Sequence, residues 1–149
     1  MVFFQRSLNS NVRMDENGRL VVESSFLDLE HSLHLTLSVN NQTGEIESAA
    51  AIMPKSPFTR CKKCVEGVSV LVGMVIGRGV MGQINAKLGG PKSCVHLVEL
   101  ISEAVRLIGM LRAGDGGDYA YPGDPTHPEE VVIEKLKPTL RNSCMIFAD

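Results

Sequence analysis

Alternation of apolar and polar residues along residues 33–39 is the feature that most constrains this fold. Leucine or valine stands at every second position, with His34, Thr36 and Ser38 between them. Because successive side chains of a strand point to opposite faces, this stretch predicts a strand with one buried face. The turn-forming segment NNQTGE and the apolar segment IESAAAIM follow, which predicts a hairpin. An earlier turn, MDENGR, joins FFQRSLNSNVR to LVVESSF in the same way.

The second part of the chain has helical patterns instead. Ser56 and Pro57 suit the cap and first turn of a helix that we expect to run through Val75. The segment VMGQINAKL predicts a second helix, and PEEVVIEKLKP predicts a short one near the C-terminus. Between them, with Ser93 as its expected cap, lies a long segment whose apolar residues recur at spacings of three, four and seven. This spacing predicts an amphipathic helix.

Strands followed by helices predict an α+β fold. We expect an antiparallel sheet of three or four N-terminal strands, packed on one face by three or four C-terminal helices. A chain of 149 residues suits a single domain over residues 1–149. Glycine, proline and aspartate concentrate in residues 113–128, which predicts a flexible surface loop.

Composition excludes several classes of partner. The net charge is −2, with two tyrosines and no tryptophan, so neither a basic surface nor stacking aromatics favour nucleic acid binding. The most apolar segment, VSVLVGMVIGRGVMG, is too short to span a bilayer, and the N-terminus does not resemble a secretory signal. We therefore expect a cytoplasmic protein whose four cysteines are reduced thiols or metal ligands.

A CxxC pair, Cys61 and Cys64, is the first candidate site. On the predicted helix both side chains lie on one face near the N-terminus, where the helix dipole and three basic neighbours would lower the thiol pKa. That arrangement suits metal ligation or redox chemistry. It suits equally well two small residues on a buried helix face.

Cys94 and His96 form the second candidate site. Within a helix their side chains would diverge, so Cys94 must precede or begin the helix if both are to face one point. A lone Asp28 between two strands is usually a turn former, and it gains interest only if it points at the cysteines. His31 and His34 are predicted to face solvent.

Three segments, PFTRC, VLVGMVIGRG and LGGPKSCVHLVEL, resemble a bacterial family known only as a domain of unknown function. The resemblance covers most of the chain and implies no activity. Ser93 and Val95 stand where that family has glycine and threonine. The positions that match its pattern are Arg6, Asp28, Pro57, Phe58, Cys61, Cys94, His96 and Leu97.

The order of motifs also looks like that of the NifU/IscU-type iron–sulfur scaffolds, which implies a similar two-layer arrangement. The scaffold ligands would correspond to Asp28, Cys61 and Cys94. Phe26 stands where the scaffold has a further cysteine, and His96 follows Cys94 whereas the scaffold histidine precedes its cysteine.

These observations lead to three hypotheses about function. The first is a scaffold, carrier or regulatory module that binds zinc or an iron–sulfur cluster through ligands drawn from Asp28, Cys61, Cys64, Cys94 and His96. The second is an enzyme with Cys94 or Cys61 as nucleophile and His96 as base. The third is a metal-free accessory subunit that binds a partner. The expected partners are an unidentified protein or a second copy of this chain, and neither nucleic acid nor a membrane.

Overall fold

The structure, a computed structural model, describes residues 1–113 and 128–149. Its N-terminal part is an antiparallel sheet in which strands adjacent in sequence pair with each other. The predicted sheet of three or four strands is therefore confirmed, although its first strand begins later than the segment FFQRSLNSNVR suggests. The strands are β1 (Ser7–Met14), β2 (Arg19–Leu27), β3 (Ser32–Asn40) and β4 (Ile46–Lys55).

Alternation along β3 decides which face of the sheet is buried. Leu33 and Leu35 are buried and His34 between them is exposed, as the sequence pattern predicts. On β2, the fully buried Phe26 stands opposite Leu33, so apolar side chains of neighbouring strands meet on the same face. Ser38 is the exception, because it is buried although its position predicts exposure. The β3–β4 register shifts next to Ser38, which breaks the alternation there.

Helices follow the sheet along the chain, as predicted. Buried residues of the sheet and of the first three helices form one continuous apolar core, so the helices cover one face of the sheet. The predicted α+β class is confirmed. The helices are a 3-10 helix (Thr59–Leu71), α1 (Val80–Leu88), α2 (Val95–Ala113) and α3 (Glu129–Leu140), with short 3-10 turns at Gly90–Lys92 and Met145–Phe147.

The helix that carries the CxxC pair differs from its prediction. It is a 3-10 helix that ends at Leu71 and does not reach Val75. Ser56 does not cap it, because the Ser56 hydroxyl donates to the carbonyl oxygen of Phe58 at 3.0 Å. Gly73 has a φ of 83°, a left-handed conformation that glycine adopts without strain, and there the chain leaves the helical direction. Val75 then forms an isolated β-bridge with the turn before β4.

The start of α2 also differs from its prediction. Ser93 does not cap the helix, because its hydroxyl oxygen is buried without a hydrogen-bond partner among the described residues. The carbonyl oxygen of Cys94 accepts the first helical hydrogen bond instead, from the backbone N–H of Val98 at 3.1 Å. Cys94 therefore stands immediately before the first turn, the position that a shared site with His96 requires.

Contacts divide the chain into two compact units, residues 1–108 and 109–149. The sheet and its core lie in the first unit. In the second unit, Arg141 and Asn142 both bind the carboxylate of Asp149 and so hold the end of the chain. A single domain over residues 1–149 stays a prediction, and residues 114–127 of the predicted loop lie outside the described residues. No helix in the described ranges is long and apolar enough to cross a membrane.

Candidate metal centre

The turn between β2 and β3 is built around Asp28. Its Oδ1 accepts hydrogen bonds from the backbone N–H groups of Glu30 at 2.9 Å and His31 at 2.8 Å. The backbone N–H of Asp28 donates to the carbonyl oxygen of His31 at 3.0 Å, which closes the turn. This is the usual role of an aspartate in a tight turn. The side chain is nevertheless only 1% exposed, so the turn also holds a carboxylate beneath the surface.

His31 points toward Asp28, so the prediction that it faces solvent is wrong. Its Nδ1 lies 2.9 Å from Asp28 Oδ1, and its side chain is only 13% exposed. The physical reason is strand parity: His31 lies two residues before the buried Leu33, so the alternation of β3 extended back to it places it on the leucine face and not on the exposed face of His34. His34 lies within β3 and is exposed as predicted. The spacing Asp-x-x-His across a tight turn is the sequence signal for this contact.

His96 reaches the same place from the first turn of α2. Its ring centre lies 4.1 Å from that of His31 and 5.0 Å from that of the buried Phe26. Its Nδ1 is 3.8 Å from Cys94 Sγ. Burial lowers the pKa of His96, and the neighbouring His31 and Arg6 lower it further. The imidazole is therefore neutral near pH 7, which is the form that binds a metal ion.

Asp28, His31 and His96 offer one ligand atom each, and these atoms lie within 4.8 Å of one another. Within residues 1–113 and 128–149, no other trio of histidine, cysteine or acidic side chains comes together in this way. Two imidazoles and one carboxylate are a ligand set used for divalent zinc and iron. Two of these residues were sequence candidates, and His31 was not.

Arg6 lies beside this group and contacts both Asp28 and His96. Its Nη2 donates to Asp28 Oδ2 at 3.2 Å and lies 3.5 Å from His96 Nε2. Its Nη1 forms a longer ion pair with Glu99, at 3.8 Å. The guanidinium carbon stands 4.7 Å from the centre of the Phe26 ring, a cation–π contact. The side chain keeps 40% of its surface exposed, so the guanidinium borders both the buried carboxylate and solvent.

The Asp28 carboxylate is strongly stabilised in its charged form. Burial alone favours the neutral acid, but hydrogen bonds from the His31 side chain and from the backbone N–H groups of Glu30 and His31 outweigh burial. Together they hold the pKa of Asp28 well below its usual range. Three of these bonds go to Oδ1. Of the two oxygens, Oδ2 is therefore the one with capacity for a further partner, and Arg6 now contacts it.

The cysteines form a second cluster beside this group. Cys64 Sγ donates to the carbonyl oxygen of Cys61 at 2.7 Å, and Cys61 and Cys64 both pack against the core. Burial, together with the adjacent Cys94 and Cys61 thiols, raises the pKa of Cys64 to about 11. The expectation that the helix start and its basic residues lower the thiol pKa is therefore wrong for Cys64, since partial burial and neighbouring thiols oppose its ionisation.

The five candidate ligands thus fall into two neighbouring groups. One contains Asp28 and His96, joined by His31. The other contains the cysteines, and Cys94 links the groups through its 3.8 Å contact with His96 Nδ1. Among the described residues, no hydrogen bond joins Asp28 to a cysteine.

Comparison with known families now adds to this geometry. A family model described as "protein of unknown function (DUF2889)" matches residues 4–108. The chain belongs to the DUF2889 family. This confirms the predicted membership in a family of unknown function, and the match includes the whole His/Asp/His group and all three clustered cysteines. No curated protein and no solved structure matches the chain, so the likeness to NifU/IscU scaffolds stays a hypothesis.

Proposed function

We propose that this DUF2889 domain binds one divalent transition-metal ion through Asp28, His31 and His96. The observation that carries the proposal is the approach of the three ligand atoms to within 4.8 Å of one another. Around a tetrahedral ion with bonds of about 2.1 Å, ligand atoms stand roughly 3.4 Å apart. Small side-chain rotations therefore suffice to bring the three atoms onto a single ion.

The hydrogen bonds of the site support particular ligand atoms. When His31 Nδ1 carries the proton that bonds to Asp28 Oδ1, the lone pair of the ring lies on Nε2. A carboxylate that fixes a histidine tautomer in this way is common around metal-binding histidines. We therefore assign Asp28 Oδ2 and the Nε2 atoms of His31 and His96 as ligand atoms. Arg6 Nη2, which contacts two of these atoms, must withdraw when the ion enters.

Zinc suits this ligand set better than an iron–sulfur cluster. The set contains nitrogen and oxygen atoms and no thiolate, whereas clusters are held mainly by cysteine sulfur. Three protein ligands also leave one position of a tetrahedral ion open. As to its role, we favour a carrier, scaffold or regulatory module over a catalyst, as in the first of the sequence-based hypotheses.

The proposal is tested by zinc titration against a chromophoric chelator, with protein purified without a histidine tag. We expect about one zinc per chain. His31→Ala and His96→Ala should each weaken zinc binding by more than about 100-fold, because each removes a ligand rather than a supporting contact. His34→Ala is the matched control, since His34 is an exposed histidine on the adjoining strand, and it should bind zinc like the wild type.

Two results would contradict the proposal. One is a wild-type protein that binds no zinc while its circular dichroism shows a folded chain, which would favour the metal-free accessory subunit. The other is an equal loss of zinc binding in His34→Ala and His31→Ala.

A thiol-dependent enzyme is the second candidate, because Cys94 Sγ lies 3.8 Å from His96 Nδ1. The position of Arg6 argues against it. Arg6 can only donate, so its approach to His96 Nε2 favours a neutral ring with the proton on Nδ1. Such a ring has no lone pair directed at Cys94 and cannot act as its base. A Cys94 thiol that iodoacetamide labels rapidly near pH 7, and that His96→Ala slows, would favour the enzyme.

A further inference from the structure

The position of Arg6 beside the ligand atoms indicates what else the metal centre binds. The guanidinium lies 3.2 Å from Asp28 Oδ2 and 3.5 Å from His96 Nε2, so it stands where a cation is favoured. A bound metal ion takes over the partners of Nη2. Arg6 then remains at the edge of the centre, held by Glu99 on its other side and by the face of Phe26.

When a divalent ion occupies the proposed site, the charged groups there carry a net positive charge unless a further group binds. A divalent ion and Arg6 bring three positive charges, whereas Asp28 and Glu99 bring two negative charges. His31 and His96 add no charge when they hold the ion, because histidine binds a metal as the neutral imidazole. One positive charge therefore remains next to an open coordination position, and a bound anion would neutralise it.

Arg6 has the donors and the exposure to hold such an anion. A guanidinium carries five N–H groups, and the contact of Nη1 with Glu99 at 3.8 Å is longer than a hydrogen bond. With 40% of the side chain exposed, solutes have access to this end of the residue. The planar fork of a guanidinium matches the two oxygens of a carboxylate or phosphate group.

We infer that the metal centre takes an oxyanion, a carboxylate or phosphate group, as its fourth ligand. One oxygen of the group binds the ion at the open position, and another accepts hydrogen bonds from Arg6. The inference rests on the proposed metal site and extends it, because it names the chemical class of the ligand and gives Arg6 a function in binding it. Arg6 thus changes partner when the ion binds, from the Asp28 carboxylate to the carboxylate or phosphate of the ligand.

The test uses Co²⁺, whose visible spectrum reports its ligands. The 149-residue chain is titrated with Co²⁺ in sodium chloride, sodium acetate or sodium phosphate at equal ionic strength. We expect acetate or phosphate to tighten Co²⁺ binding about tenfold relative to chloride, a coupling of ordinary size between two ligands, and to shift the visible bands. An effect of acetate alone identifies a carboxylate ligand, and an effect of phosphate alone identifies a phosphate ligand.

Variants of arginine separate the role of Arg6 from a general effect of charge. Arg6→Gln should lose the difference in Co²⁺ affinity between chloride and the oxyanion salts, and Arg6→Lys should keep part of this difference because the charge remains without the fork. Arg13→Gln removes an exposed arginine of β1 and should behave like the wild type.

The failures of the two proposals are distinguishable. Co²⁺ binding that is the same in all three salts overturns the oxyanion inference and leaves the metal site standing. An intense sulfur-to-cobalt charge-transfer band that disappears in Cys94→Ser also overturns it, because a thiolate would then fill the fourth position. No Co²⁺ binding by the folded wild-type protein overturns the metal site itself.

Discussion

Phe26 connects the stability of the sheet with the geometry of the candidate metal centre. It is fully buried, and its ring centre lies 5.0 Å from the ring of His96 and 4.7 Å from the guanidinium carbon of Arg6. Phe26→Leu keeps much of the apolar volume, and such a replacement by itself costs less than about 1.5 kcal/mol. The replacement also removes the ring pair with His96, worth about 0.5–1.5 kcal/mol. The lost cation–π contact with Arg6 adds about 0.5–1 kcal/mol.

From these contributions we expect Phe26→Leu to lower the free energy of unfolding by about 2 kcal/mol and the Tm by about 4–8 °C. Thermal unfolding followed by circular dichroism measures the change. Phe58→Leu is the matched control, because Phe58 is 70% exposed, and it should change stability by less than about 0.5 kcal/mol. Since Phe26 also supports both histidines, zinc affinity should fall by about tenfold or more in Phe26→Leu.

A double-mutant cycle isolates the contact between Phe26 and Arg6. Combining Phe26→Leu with Arg6→Gln should give a coupling energy of about 0.5–1 kcal/mol. Equal stability of Phe26→Leu and wild type, or an equal loss in Phe58→Leu, would refute the assignment of Phe26 as a buried support of the site. A coupling of zero would refute the cation–π contribution alone.

The remaining predictions concern Cys64, Gly79 at the N-cap of α1 and Gly82 within α1. Iodoacetamide at pH 8 should label Cys64 far more slowly than Cys144, because burial and neighbouring thiols raise the pKa of Cys64 to about 11, whereas Cys144 is exposed. Peptide mass spectrometry measures both rates, and similar rates would contradict the raised pKa. Gly79→Ala should destabilise the chain by about 1–2 kcal/mol, because Gly79 has a φ of 86° that an L-residue adopts only with strain. Gly82→Ala should instead stabilise the chain by about 0.5–1 kcal/mol, because this helical glycine has open space around it. Urea unfolding measures the stability change of both variants. If both variants were stabilised, or both destabilised, the argument from backbone conformation would be contradicted.

The spacing of apolar residues predicts most strands and helices of this fold, because that spacing depends only on the residues within each segment. The alternation along β3 predicts its buried face, and the apolar spacing after Cys94 predicts α2. Prediction fails where backbone geometry depends on distant contacts. The 3-10 helix ends at Leu71, the chain turns at Gly73, and Val75 pairs with the turn before β4, which no spacing within the segment reveals.

The candidate site was predicted only in part, for the same reason. Asp28, Cys94 and His96 are conspicuous in the sequence because of their chemistry and their positions at the ends of elements. The prediction for His31 is wrong because it groups His31 with His34, although His31 shares the parity of the buried Leu33. Arg6 stands just before β1, and no motif of local sequence marks it as a neighbour of residue 96.

The sequence by itself determined the α+β class, the buried face of the sheet and the long amphipathic helix. The reason is that the spacing of apolar residues within one segment indicates both its secondary structure and its buried face. Only the tertiary structure decided which residues form the candidate metal centre. Packing of the helices on the sheet brings together three places that are far apart in the chain. They are the turn at Asp28, the start of α2 with His96, and Arg6 just before β1. Packing also brings Cys61, Cys64 and Cys94 together beside the histidines, because it places the 3-10 helix next to the start of α2.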